Sequence, residues 1–319
     1  MKRLLSNIVY DLQLQIRTKS LIILFIVMMG IFMLAQFNQI NDFKTEVNMY
    51  EIAYQNSKEA GNDPEEILKQ DYNINNSKEN KLEVIDNPLR YQYESMKESR
   101  NSLEGRNVIV TYLENTLLVY LSLVITIYMI YVSCFEFSEL TFKTRLLMGN
   151  STTISLSKLI AGMIVVTGTF IVSLLLSSLI VQPWIIQATK DYAFNHPLTQ
   201  YSITHILKVG FMSYIILMLY SIFGFSLGSL LRKTSIATVI FLVLHLVVPV
   251  LGKYDYKNLV LTIYRDIFGK LMDSTVHIID GVNITTAFAL LTLYSVIVLI
   301  FAFIRFKIDK RGGVLQWLY

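Results

Sequence analysis

The run TLLVYLSLVITIYMIYVSCFEFSELTFKTRLLMGNSTTISLSKLIAGMIVVTGTFIVSLLLSSLIV, from Thr116 to Val181, holds two long apolar stretches separated by one short polar loop. Each stretch is about 20 residues long, enough at 1.5 Å per residue to cross a hydrocarbon layer of about 30 Å. In such a layer every backbone polar group must be bonded inside its own segment, so the run reads as two membrane helices. The loop between them, Glu136 to Ile160, is short, polar and partly amphipathic.

Working outward, the same pattern recurs. The chain has 319 residues, 53% of them hydrophobic and only 16% charged, which excludes an ordinary soluble domain. Six apolar runs are span candidates: Leu21 to Ala35, Thr116 to Phe135, Leu159 to Val181, Val209 to Leu231, Ile236 to Leu251 and Thr285 to Ile304. The first is short and recruits polar flanks; with no strong small-residue cleavage site after it, it reads as an uncleaved helix. The fifth is also short and ends at Pro249, so a re-entrant or broken helix is the alternative there. The expected fold is an all-α integral membrane protein with six transmembrane helices.

Basic residues in short loops set the orientation. Thirteen lie on the side of the termini, among them Arg3, Arg17, Lys143, Arg145, Lys158, Arg232 and Arg305, against six on the other side. Both termini are therefore expected in the cytoplasm. Residues 39–107 carry 9 basic and 14 acidic residues; long loops translocate largely regardless of charge, so this insertion is assigned outside by parity. The net charge of +4 tracks membrane boundaries and forms no basic stripe, so no nucleic-acid partner is expected.

The organisation follows. Residues 1–19 place Leu4, Leu5, Ile8, Val9, Leu12 and Ile16 at three- and four-residue spacing, with Lys2, Arg3, Asp11 and Arg17 on other faces, which predicts an amphipathic interfacial helix. The alternative is a plain cytoplasmic extension of the first span. The first transmembrane helix takes residues 20–38. Residues 39–108 are expected to form an extracellular helical hairpin, with an Asn or Asp cap and Pro64 starting a short helix at its tip. Residues 109–319 hold the second to sixth spans, a cytoplasmic loop over 136–158 and an extracellular segment over 252–283. In the insertion, Tyr50, Tyr54, Tyr91, Tyr93 and Met96 either line a groove for an amphipathic cargo or pack the hairpin against itself, the usual meaning of helical apolar spacing.

Other constellations are sparse. Gly224 and Gly228 form a G-x-x-x-G in the fourth span and predict close helix approach, within the chain or at a dimer seam. His245 is an ionisable group inside the fifth span, read as a neutral histidine bonded to a neighbouring helix or as a proton or ligand site. The other histidines show no metal-ligand spacing, and Cys134 is the sole cysteine. No metal is expected.

The loop itself reads as a short helix showing apolar groups (Phe137, Leu140, Phe142, Leu146) interleaved with charged ones (Glu136, Glu139, Lys143, Arg145), ended by Gly149 and Asn150. By its residues alone it is equally an ordinary snorkelling turn. The set of features resembles the permease subunits of ABC transporters of the ABC-2 (type V exporter) family: an interfacial helix before the first span, an acidic inner end of the second span, a short coupling helix, the SKL segment entering the third, the Gly-rich fourth span YSIFGFSLGSLLRKTSIATVIFLVL and the basic tail RFKIDKRG. The large insertion after the first span departs from the many members that place their bulk between the fifth and sixth.

The resemblance implies a bacterial plasma-membrane exporter subunit that is not itself an enzyme. Two copies of a separate ATPase would bind ATP and Mg, and the chain has no G-x-x-x-x-G-K-[ST] of its own, so no cofactor is expected in it. The coupling helix would engage the ATPase through Glu136, Phe137, Glu139, Phe142, Lys143, Arg145 and Leu146. The further partners implied are a second permease copy or a paralogous permease, and membrane lipids. The cargo implied is hydrophobic or amphipathic: a peptide, an antibiotic or a lipid-linked molecule. A sensor or immunity protein whose outer hairpin captures a toxin or peptide without moving it is the second reading. An intramembrane enzyme ranks third, because no facing nucleophile and base or clustered metal ligands are visible.

Overall fold

The computed structural model describes residues 2–76, 83–105, 107–138, 145, 150–190, 200–269 and 278–311. Almost all of them are helical: α1 (Lys2–Arg17), α2 (Ser20–Glu59), α3 (Pro64–Ile67), α4 (Pro88–Ser102), α5 (Asn107–Thr116), α6 (Ser122–Ser138), α7 (Ser151–Thr189), α8 (Ile203–Leu231), α9 (Thr234–Leu242), α10 (Tyr256–Phe268) and α11 (Ile284–Arg311). The one extended feature among the described residues is an antiparallel pair, β1 (Ile74–Asn76) with β2 (Glu83–Ile85), in the register Ile74 to Ile85.

Five helices are long and apolar enough to cross a membrane: Ser20–Glu59, Asn107–Phe137, Ile203–Leu231, Ser151–Thr189 and Ile284–Phe306. Large apolar side chains stand exposed along them, Ile23, Ile26, Leu179 and Ile300 among these, as expected of lipid-facing surface in a multi-pass membrane protein. The expected span over Ile236 to Leu251 differs. Its helix runs only through α9 and a π-type turn at Val243–Val247, a 14-residue apolar helix that is short of a bilayer's hydrocarbon. Pro249 is the reason: the residue before a proline is driven out of the helical region, and Val248 is extended at ψ 123°.

By contact density the chain divides into two compact units, 33–112 with 177–206, and 1–32 with 113–176 and 207–319.

In the first unit, local capping decides the elements. Asp63 caps α3 by accepting from the Glu65 N–H, and Pro64 fills the first helical position, where no backbone donor is needed. Asn87 repeats the device for α4: its Oδ1 accepts from Arg90 N–H, while its Nδ2 donates to the Ile67 and Gln70 carbonyls and so ties α4 to the end of α3. The chain leaves the helix between Ser102 and Asn107, where Gly105 takes a left-handed φ of +51°. Asn107 secures that turn, donating to Asn101 and accepting from the Tyr201 N–H. Tyr50 meets Tyr54 and Tyr93 at ring separations of 6.2 and 5.8 Å, Tyr91 meets Tyr72 at 5.5 Å, and Met96 is buried. Tyr50, Tyr54 and Tyr93 therefore form one ring cluster and Tyr91 a second with Tyr72.

The other unit is organised around α6. Ile125, Met129, Ile130 and Cys134 are fully buried on it, and the helix formed by α5, a π-type turn at Leu117–Leu121 and α6 is the most enclosed of the five long ones. α8 presses directly on α6. A Cβ added at Gly224 would stand 2.5 Å from the Thr126 carbonyl oxygen, and one at Gly228 would stand 2.8 Å from that of Ile130. Cys134 Sγ donates to the Gly228 carbonyl at 3.3 Å. The G-x-x-x-G therefore serves packing within the chain, where small residues let backbones approach.

Candidate functional site

The site begins with α1. Its apolar positions recur on one stripe, and among residues 2–19 only Asp11 is acidic. The helix ends at Arg17, and Lys19 turns the chain with a left-handed φ of 60° before α2 starts at Ser20. That break separates α1 from the first long helix. Gln15 accepts a hydrogen bond from Tyr128 Oη on α6, fixing α1 against it.

Around Asp11 four charges meet. Arg145 grips the Asp11 carboxylate with both terminal nitrogens, at 2.6 and 2.9 Å, and its Nη1 also donates to Glu136 Oε1 at 2.5 Å. Lys158 Nζ lies 2.8 Å from the second Glu136 oxygen. Ser157 Oγ donates to Asp11 at 2.7 Å. Asp11, Glu136 and Lys158 have side chains only 2 to 3% exposed, and Arg145 only 11%. Two carboxylates and two cations cancel, which permits burial of four formal charges at once.

The guanidinium also stacks on the Tyr10 ring at 4.7 Å. Burial acts to lower the Arg145 pKa, but the hydrogen bond to Asp11 and the charge of Glu136 outweigh it and hold the group above its ordinary value. Arg145 is thus a permanent cation here. Its fork geometry matters, since a planar guanidinium can serve two carboxylates at once where an ammonium acts as a point charge.

The cluster joins four pieces of chain: α1 through Asp11, the end of α6 through Glu136, the loop through Arg145 and the start of α7 through Ser157 and Lys158. Next to it Phe137 packs on Phe306 at 5.6 Å, with the Arg232 guanidinium 5.4 Å and Lys158 Nζ 5.9 Å from its ring. The C-terminal parts of α6, α8 and α11 therefore also converge on this point.

Of the expected coupling residues, Glu136, Phe137 and Arg145 are described and come together here, with Glu136 and Arg145 turned inward. Glu139, Phe142, Lys143 and Leu146 lie outside the described residues. Asp11, Ser157 and Lys158 were absent from the expected set. A signal for Asp11 existed, because it is the one acid on an otherwise basic amphipathic helix, but no sequence spacing links it to residue 145.

His245 is held by Ser122 Oγ at 3.3 Å from Nε2, so it does bond a neighbouring helix. Among the described residues no group of three or more His, Cys, Asp or Glu side chains is arranged to hold a metal ion.

Compared with known protein families, with curated proteins and with solved structures, the chain matches none.

Proposed function

We propose that this chain is the membrane-spanning subunit of an exporter driven by a separate ATPase, of the ABC-2 permease type that its sequence resembles. The observation that supports this reading most directly is the buried charge cluster. A short inner loop carrying Arg145 is tied by ion pairs to an interfacial helix and to the ends of two long helices, so a push on the loop moves all of them together. An ordinary turn needs no such linkage.

On this reading the termini and the loop are cytoplasmic, α9 is the fifth and incomplete span of a six-span arrangement, and residues 39–108 form an outer helical hairpin. Phe142 and Leu146 fill a groove on the ATPase, and Glu136 and Arg145 carry the movement inward. ATP and Mg belong to two ATPase copies, and a second permease, identical or paralogous, completes the pathway for a hydrophobic or amphipathic cargo in a bacterial plasma membrane. A sensor or immunity protein shares the same membrane architecture but has no use for a mechanically coupled inner loop.

The test is to co-purify the chain with a candidate P-loop ATPase. Phe142→Ala with Leu146→Ala should break the complex. Asp11→Asn should leave the complex intact while cargo-stimulated ATP hydrolysis falls toward the basal rate. If the first pair leaves association unchanged, or no ATPase associates with the wild-type chain, the proposal fails.

A further inference from the structure

The helix that carries Asp11 has a second face. At about 100° per residue, Leu5, Val9, Leu12 and Ile16 fall within an arc of about 60° on α1. Leu5 is 59%, Val9 52% and Ile16 55% exposed, so the described part of the chain leaves this apolar stripe largely uncovered. The contacts of α1 lie elsewhere. Asp11 and Gln15, both buried, stand about 90–130° to one side of the stripe and meet Arg145, Ser157 and Tyr128. The Arg145 guanidinium reaches α1 between Asp11 and the Tyr10 ring, and the midpoint of those two positions is about 180° from the stripe. The polar loop therefore bears on the back of α1, and the stripe faces the opposite way.

The level of α1 is set by its neighbours. It ends two residues before α2, whose first turns expose Ile22, Ile23 and Ile26. Asp11 is bonded to Ser157 in the second turn of α7, and shares Arg145 with Glu136 in the last turn of α6. α1 is thus held at the ends of three helices long and apolar enough to cross a membrane. Its charge is one-sided as well. Asp11 is the only acid among residues 2–19 and is neutralised by Arg145, while Arg3, Arg17 and Lys19 are exposed. A helix with an open apolar stripe, no free acid and exposed cations, placed where spans end, has the chemistry that binds a negatively charged lipid surface.

We propose that α1 docks on anionic phospholipid, with Leu5, Val9 and Ile16 in the acyl boundary and Arg3, Arg17 and Lys19 at lipid phosphates, and that this docking holds Asp11 on Arg145. The geometry makes the link. With lipid under the stripe and the loop across the back, α1 is clamped between them, and a helix that leaves the lipid takes Asp11 away from the guanidinium. Anionic lipid thereby controls closure of the charge cluster. The inference rests on the cluster and on the membrane-length helices, not on an ATPase, so it and the exporter reading fail separately.

The full-length chain is placed in nanodiscs of phosphatidylcholine, alone or mixed with phosphatidylglycerol. An environment-sensitive fluorophore is attached at Val9→Cys or, on the opposite side of α1, at Asn7→Cys; the native Cys134 is fully buried. Spin labels on lipid acyl chains should quench the Val9 probe strongly and the Asn7 probe weakly. Trypsin cleavage after Arg145 requires its guanidinium to leave the cluster. Measured against cleavage after the exposed Lys69, it should be about tenfold slower with phosphatidylglycerol than without. Arg3→Gln, Arg17→Gln and Lys19→Gln together should abolish that difference, as should high salt, and glycerol 3-phosphate free in solution should not reproduce it. Asp11→Asn should keep the Val9 quenching and remove the lipid dependence of cleavage, since it cuts the link and not the docking; the wild-type lipid comparison carries the test if that variant does not fold. A Val9 probe that acyl quenchers do not reach would overturn the proposal and give the stripe to another protein surface. Equal quenching at Asn7, cleavage indifferent to phosphatidylglycerol, a lipid effect that survives loss of the three cations, or one that free phosphate reproduces would overturn it too.

Discussion

Asp11 and Arg145, 134 positions apart in the chain, meet in a two-pronged ion pair with N–O distances of 2.6 and 2.9 Å. The pair is shielded from water and shared with Glu136, so it cannot be treated as a surface salt bridge of small worth. Removing one partner of a buried pair strands the other.

Arg145→Met should therefore destabilise the protein by about 3–5 kcal/mol, since among the described residues Asp11 then lacks its paired cation and Glu136 keeps Lys158. Arg145→Lys should recover part of that, because an ammonium supplies charge without the fork. Adding Asp11→Asn to Arg145→Met should cost less than the two changes separately. Thermal unfolding of the purified variants in nanodiscs checks all three, and a wild-type melting curve for Arg145→Met would contradict the buried cluster.

Glycine substitutions should separate contact from exposure. Gly228→Ala puts a Cβ 2.0 Å from Ser133 Oγ and 2.8 Å from the Ile130 carbonyl oxygen, so α8 must move off α6, at a cost of about 1–3 kcal/mol. Trimming Ser133 to Ala should not restore stability, because the Ile130 backbone cannot yield. Gly168→Ala, with nothing within 4 Å, should be tolerated. Comparable melting of the Gly228 and Gly168 variants would count against the close crossing.

Asn258 should prove a local anchor. Its side chain is fully buried, donates to the Lys253 and Ile279 carbonyls and accepts from the Ile279 N–H, so it holds the chain on both sides of α10 together. Asn258→Leu leaves those backbone groups unpaired, each costing about 1–3 kcal/mol. Hydrogen exchange should accelerate at Lys253 to Asn258 and Ile279 well before it does on α6. Uniform acceleration throughout would instead indicate global unfolding.

Asp86 provides a pH test. The Asn73 N–H donates to its Oδ1 at 2.7 Å, and this bond holds the carboxyl below its ordinary value of about 3.9. A depressed folded-state pKa means that the stabilisation is fully present above the unfolded value and is lost as pH falls through the folded one. The Asn73 to Asp86 link should therefore hold from neutral pH down to about 4 and weaken below it. Asp86→Asn should remove the acid-dependent step in limited proteolysis of residues 71–86; a step of the same size in that variant would assign it to another group.

Much of the architecture was legible because it rests on local rules. Apolar runs bounded by polar loops mark long helices, since an unpaired backbone group in hydrocarbon is too costly to allow another structure. Asp63 with Pro64 and Asn87 with Pro88 announce helix starts by side-chain capping. The stripe of α1 and the spacing of Gly224 and Gly228 are likewise visible in one dimension. The end of the fifth apolar run at Val247 is legible only in part: Pro249 signals a stop, but hydropathy continues through Leu251.

Helix positions are readable along the chain, because hydropathy, capping and proline geometry act over a few residues. Which charges and rings share a neighbourhood emerges only on folding. Asp11 reads as one polar residue on an amphipathic helix until folding sets it against Arg145, and Tyr220 and His245 read as separate residues until folding brings their rings within 5.7 Å. Electrostatic pairing and desolvation depend on distance through space, and a chain of 319 residues can bring any two of its positions together.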